Sequence, residues 1–227
     1  MASLYDQIRK PWAAWEMTME GHDPTNNRVL DFSGNGRHLT LGDGAGSNEP
    51  TKLVQKRGYR PTAVTDKLTQ DATTQWTSGF ITVETLFRAS NTGSADIIEL
   101  WGAGGVGFIF YLFGGALRFY SGGVAGANNA SMPIAGQAGN SPIIHAVGRY
   151  DGVNTSIFIN GQKGTDAGVP LPPNTSNPAE PLRIFSRYDN SEQFNGDAYL
   201  CRIWDVALTD VQIRELSRRA KQELTRI

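Results

Sequence analysis

The side chains able to do chemistry are few and scattered. Asp31 and His38 flank the polar link Ser33–Gly34–Asn35–Gly36. A carboxylate beside an imidazole is the minimum for acid–base catalysis or for metal binding, and no companion residue stands near this pair. His22 and His145 show no H-x3-H spacing, and His145 falls within an alternating apolar run. Hydrogen-bonded structural roles are expected for the histidines. Cys201 is the only cysteine and reads as a small packed apolar group. With no G-x-S-x-G elbow, nucleophilic catalysis has no visible constellation. Glu16 and Glu20 fall on the polar side of the alternating run WEMTME and read as solvated carboxylates.

Two further patterns bear on binding. The run from Gly102 to Gly107 fits G-x-G-x-x-G, but the strand-like FIFYLF follows it where a dinucleotide site needs a helix. These glycines read as a hairpin turn. Asp31, Asp43 and Asp151 sit on turns. Calcium takes six to eight oxygens, and turn carbonyls supplement such side chains, so Asp31 is the candidate ligand of a rim calcium ion, the one cofactor the sequence offers. Aspartate also favours turns by accepting from its own backbone, and that reading is preferred.

The third pattern is aromatic. Alternation places Tyr111, Arg118 and Tyr120 on one sheet face, opposite Phe108, Phe110 and Phe119. Aromatics with arginine suit a sugar or a protein partner. An ordinary sandwich surface that includes some tyrosine accounts for the same pattern.

The elements that must position these residues are mostly strands. The 227 residues fit one large domain, and the 26 glycines fall with Asn, Ser and Pro between short apolar runs. Strand signal is clear at FITVETLFR (80–88), 96–101, 106–113, 116–121, 143–150, 156–160, 181–187 and 198–204. Gly114–Gly115 and residues 151–154 read as hairpin turns. Residues 42–50, 122–141 and 163–180 read as loops, and no strand is predicted between 51 and 79.

The C-terminus differs. Thr209 with Gln212 makes a capping-box pattern. Ile213, Leu216, Ala220, Leu224 and Ile227 then recur at helical spacing. Glu215 is placed to pair with Arg218 or Arg219. The expected organisation is an arm over 1–11, a sandwich over 12–208 and a helix over 209–227.

Net charge is −1, which gives no global field toward nucleic acid. No run is long enough for membrane insertion, and the N-terminus lacks the apolar core of a signal peptide. One cysteine permits no internal disulfide. Synthesis in a cytoplasm is therefore expected, and the three N-x-S/T sequons are read as chance.

Several stretches in order resemble laminin-G-like, concanavalin A-like jelly rolls. They are Trp15–Met17, Asp31–His38, Phe80–Glu84, His145–Gly152, Phe158–Gly161, Phe194–Gly196 and Arg202–Thr209. The resemblance spans about residues 12–216. It implies an all-β fold, a two-sheet antiparallel β-sandwich with a C-terminal α-helix, used for carbohydrate or protein adhesion. Many relatives bind calcium at one rim, but the usual acidic position in the closing strand is Tyr199 here. The E-x-D-x-x-E run of the related glucanases is missing.

The expectation is a non-enzymatic structural or adhesion protein, a bacteriophage virion component of capsid-decoration or tail type that binds surface glycans. Its partners would be other virion proteins or a second copy of the chain. The long terminal helix would dock through Arg218, Arg219 and Lys221. A free-standing lectin-like module and a divergent glycoside hydrolase are the alternatives.

Overall fold

The computed structural model describes residues 8, 10–17, 21–42, 48–53, 58–63, 65–73, 76–90, 93–102, 105–122, 129–134, 142–167, 172–173, 181–187 and 189–224. The first strands are β1 (Ala13–Glu16), β2 (His22–Asp23), β3 (Arg28–Val29), β4 (Leu39–Leu41), β5 (Thr51–Leu53), β6 (Gly58–Arg60) and β7 (Leu68–Thr73). Next come β8 (Ile81–Ala89), β9 (Ala95–Gly102), β10 (Gly105–Phe113), β11 (Ala116–Ser121) and β12 (Asn129–Pro133). The chain closes with β13 (Ile144–Tyr150), β14 (Thr155–Ile159), β15 (Gln162–Lys163), β16 (Pro181–Ile184), β17 (Gly196–Trp204) and helix α1 (Asp210–Leu224).

These strands form two antiparallel sheets. One runs β15-β14-β13-β8-β17-β6-β5, with β1 also paired to β17. The other runs β12-β11-β10-β9-β16-β7-β4-β3-β2. Their inner faces interdigitate. Trp15, Val83, Phe87 and Ile203 of the first sheet join Leu68, Ile98, Phe108, Phe110 and Phe119 of the second in one core. Gly148 shows how close the layers come. A Cβ there would lie 2.2 Å from the Phe119 ring.

The first sheet is covered on its outer side as well. Ile213 and Leu216 of α1 pack on Val147, Phe158 and Trp204, so the β8 residues Thr82, Glu84 and Leu86 are buried as fully as their inward neighbours. Burial of Glu84 is balanced by His145 Nε2 at 2.9 Å and Arg202 Nη1 at 3.3 Å from its oxygens. Burial works to raise this acid, and Arg202 with His145 outweighs it, holding Glu84 below the ordinary carboxylate range. Burial also pushes the adjacent Cys201 thiol up, so it stays an inert packed group.

The helix begins at the expected cap. Thr209 N–H donates to Gln212 Oε1 at 2.8 Å, and Gln212 N–H donates back to Thr209 Oγ1 at 3.3 Å. Ile213, Leu216 and Ala220 are buried. Most of the N-terminal arm and residues 225–227 lie outside the described residues.

Two expectations are corrected. The span 51–79, read without strands, contains β5, β6 and β7. Their sequences are short and polar, and pairing with β4, β16 and β17 rather than periodicity makes them strands. The span 122–141, read as loop, contains β12, an edge strand laddered to β11 from Ala116↔Pro133 to Tyr120↔Asn129.

Candidate functional site

The outward face of the second sheet is not covered by the helix. At its β9–β10–β11 section lies a cleft of about 350 Å³, lined by Asp96, Trp101, Ile109, Tyr111, Phe113, Arg118, Tyr120, Arg187, Ser94 and Glu192. The Gly114–Gly115 turn, with φ of 59° and 77°, sets the register of its central hairpin. Tyr111 then falls opposite Arg118, and Ile109 opposite Tyr120. Tyr111, Arg118 and Tyr120, expected on one face from alternation, are thus brought together. Phe108, Phe110 and Phe119 point the other way into the core.

Other cleft residues were not foreseen from sequence. On β9, strict alternation would send Asp96 and Glu99 to opposite faces. A register shift between Phe110 and Tyr111 lets both Ile97 and Ile98 enter the core, and the outward face gains both acids. Asp96 is paired in register with Tyr111, and Glu99 with Ile109 and with Arg183 of β16. The doublet Ile97–Ile98 between two acids was the available signal. Arg187 and Glu192 come from the loop after β16, where no periodicity helps.

That loop is held at its base. Phe185 has φ 79°, a conformation costing about 1–3 kcal/mol for such a residue. Its ring stacks on Phe194 at 5.9 Å, its N–H donates to Ile97 O at 3.0 Å, and its carbonyl accepts from Phe194 N–H at 2.8 Å. The loop carries the Arg187 guanidinium 4.1 Å over the Trp101 ring, and Glu192 Oε1 lies 3.1 Å from Arg187 Nη1. Ser94 Oγ donates to Glu192 Oε2 at 2.6 Å.

The result is a partly apolar hollow with polar ends. Ile109 and Tyr120 are buried beneath it, with Trp101 and Tyr111 packed against them and half-buried. Phe113 is 49% exposed at the margin, with the Arg118 guanidinium 4.8 Å over its ring. Asp96 and Glu99 are almost fully buried. Burial, then the charge of Glu192, pushes the Asp96 acid up against the pull of Arg187. Burial, then the charge of Asp96, pushes Glu99 up further. Burial and their mutual charge favour a proton on this acid pair, whose Asp96 Oδ2 and both Glu99 oxygens are buried with no hydrogen-bond partner. Burial also pushes the Tyr111 phenol up, against its hydrogen bond to Arg118.

The remaining candidates lie elsewhere. Asp31 Oδ1 accepts from Ala14 N–H and Ser33 N–H, both at 2.9 Å, and Oδ2 from Ser33 Oγ at 2.7 Å and Arg37 N–H at 2.9 Å. Burial works to raise this acid, and those donors outweigh it and hold it low. Four donors occupy the lone-pair positions of the carboxylate, so a calcium ion would have to displace them. Gly34 and Gly36, rather than Asn35, take the left-handed backbone of this turn. Asp151 Oδ1 likewise closes its own turn on Val153 and Asn154 N–H, and Asp43 lies outside the described residues. Among the described residues no group of three or more His, Cys, Asp or Glu side chains is placed to hold a metal ion.

His38 Nδ1 accepts from Asp31 N–H at 3.0 Å, and His22 Nδ1 lies 2.8 Å from the Tyr59 hydroxyl. Glu16, read as solvated, pairs with Arg202 at 3.2 Å. On α1, Glu215 binds both Arg218, at 2.7 Å, and Arg219, at 2.9 Å, and these bonds hold its acid down to about 2. Lys221 is exposed. No helix among the described residues is long and apolar enough to cross a membrane.

Residues 62–214 match the Concanavalin A-like lectin/glucanases superfamily. The chain belongs to this superfamily. No curated protein matches it. Among solved structures, the superfamily fold is similar to Trypanosoma rangeli sialidase bound to a difluorinated KDN, with TM-score 0.65, 12% identity, and 95% of this chain but 33% of the sialidase covered. It is equally similar to a structure of botulinum neurotoxin type C, for which interaction with two ganglioside molecules is described (TM-score 0.65, 13% identity, 96% and 53% covered). The binding domain of botulinum neurotoxin DC in complex with rat synaptotagmin II gives TM-score 0.64 at 12% identity, over 93% and 52%. This chain thus spans a third to a half of the solved chains it resembles. At such identities the likeness establishes the fold, and the concanavalin A-like sandwich is what these proteins share.

Proposed function

We propose that this chain is a non-enzymatic carbohydrate-binding module and that the cleft over Tyr111 is its sugar site. The observation that carries this is one cross-strand row, Asp96–Tyr111–Arg118, which sets an aromatic surface between two hydrogen-bonding groups. A sugar presents an apolar ring face with hydroxyls at its edge, and a shallow aromatic hollow with a few fixed polar groups complements both. The lectin-like fold supports the reading, as do the ganglioside described for one structural neighbour and the sugar analogue bound by another.

The same geometry disfavours hydrolysis. A glycosidase needs one acid and one ionised carboxylate on either side of the scissile bond, about 5–10 Å apart. Of the carboxylates here, Glu192 is engaged by Arg187 and Ser94, and Asp96 is buried beside Glu99, which does not line the cleft. The setting inferred from sequence, a phage capsid-decoration or tail protein docked through Arg218, Arg219 and Lys221, is part of this proposal; its check is whether the protein co-purifies with particles. The sugar reading itself is tested on a glycan array. Wild-type protein should retain at least one glycan that Tyr111→Ala does not. Retention of none, or release of reducing sugar from retained oligosaccharides, would refute it.

A further inference from the structure

The charges of the cleft specify its ligand more narrowly, on the premise that the cleft binds sugar. Two arginines line it, and they differ. Arg187 is engaged by Glu192 at 3.1 Å and Asp189 at 3.7 Å. Arg118 has no carboxylate partner among the described residues; its contacts are the Phe113 ring and the Tyr111 phenol, and its buried Nε has no acceptor. A guanidinium left without a counter-ion, half-buried beside aromatic rings, is an anion site awaiting its anion.

The opposite end of the row does not cancel that charge. Asp96 lines the cleft, is 2% exposed, and its Oδ2 accepts no N–H or hydroxyl donor. With burial favouring a proton on Glu99, the pair presents less negative charge than two carboxylates would, and the unpartnered Asp96 Oδ2 is left for a ligand hydroxyl. Asp96 and Arg118 are two strands apart, about 9–10 Å. A single sugar ring with its substituents bridges that distance.

We infer that the cleft selects an acidic sugar, with its carboxylate on Arg118, its ring over Tyr111 and a hydroxyl on Asp96. Guanidinium and carboxylate pair in bidentate geometry, so the acid group is read by shape as well as charge. A neutral sugar would fill the same hollow and leave Arg118 unpaired.

The test uses the full chain on an array of matched oligosaccharide pairs that differ only in a terminal hexose or the corresponding uronic acid. The acidic member should bind at least about tenfold more tightly, the scale of a charge-assisted hydrogen bond. Arg118→Gln should erase that preference, bringing the acidic member down to the level of its neutral partner, with unchanged melting temperature; Arg118→Lys should keep part of it. Equal or better binding of the neutral members, or a preference that survives Arg118→Gln, overturns the inference while sugar binding stands. Binding of neither member refutes the sugar reading itself.

Discussion

Tyr111 stands directly opposite Arg118 across the β10–β11 ladder, and the same tyrosine stands opposite Asp96 across the β9–β10 ladder. One aromatic ring is therefore flanked by a donor and an acidic group without any loop to position it. The two functions of the ring can be separated. Tyr111→Ala removes the stacking surface and should weaken sugar binding by about 2 kcal/mol, roughly thirtyfold. Tyr111→Phe keeps the ring and should stay close to wild type, as titration calorimetry with an array-selected oligosaccharide would show. Equal losses in both variants would assign the effect to the phenol instead.

The buried acids on the two sheets give stability opposite pH slopes. Glu99 is held protonated in the fold by burial and by Asp96, while in the unfolded chain it ionises near pH 4. Its contribution is complete below that pH and declines as pH rises toward its raised value. Glu99→Gln keeps the shape and removes the ionisation. Its melting temperature should overtake that of wild type as pH increases from 5 to 8. A constant difference across that range would contradict the protonated assignment.

Glu84 behaves in the reverse sense. His145 and Arg202 hold its acid low, so its stabilisation is present above about pH 4 and is lost as pH falls through the folded value. Glu84→Gln removes the partner of buried His145 and half-buried Arg202, and should cost about 3–5 kcal/mol at neutral pH by urea denaturation. The loss should shrink in acid.

Gly148 marks the closest approach of the two sheets. Gly148→Ala drives a methyl group into Phe119 and should cost about 3 kcal/mol, measured by the same urea titration. The double variant Gly148→Ala/Phe119→Leu should recover part of the loss if that contact is the cause.

Helix α1 depends on its first turn. Thr209→Ala removes the hydroxyl that accepts from Gln212 N–H and should destabilise the chain by about 1 kcal/mol in thermal melts. No change would mean that the helix is held by Ile213 and Leu216 alone.

The sandwich was legible because period-2 alternation and turn residues are local signals. FITVETLFR fills β8, and Gly114–Gly115 forms the hairpin it suggests. The strands β5, β6 and β7 were invisible because neighbours, not composition, make LTQDAT a strand. In the cleft, Tyr111, Arg118 and Tyr120 could be grouped on one face because their hairpin is regular. Asp96 could not join them, because the irregularity between Phe110 and Tyr111 inverts the phase of β9. Arg187 and Glu192 arrive from a loop anchored by Phe185, which no spacing announces. Conversely, Asp31 stood out by composition, yet its oxygens are occupied by the turn it builds.

The most direct test is an amide chemical-shift map recorded while a glycan retained on the array is titrated into the protein. The largest shifts should fall on Ser94–Trp101, Ile109–Tyr120 and Arg187–Glu192, and should be strongly reduced at the same glycan concentration in Tyr111→Ala. Shifts clustered instead along α1, or around the Asp31 turn, with those segments silent, would contradict the sugar site at Tyr111.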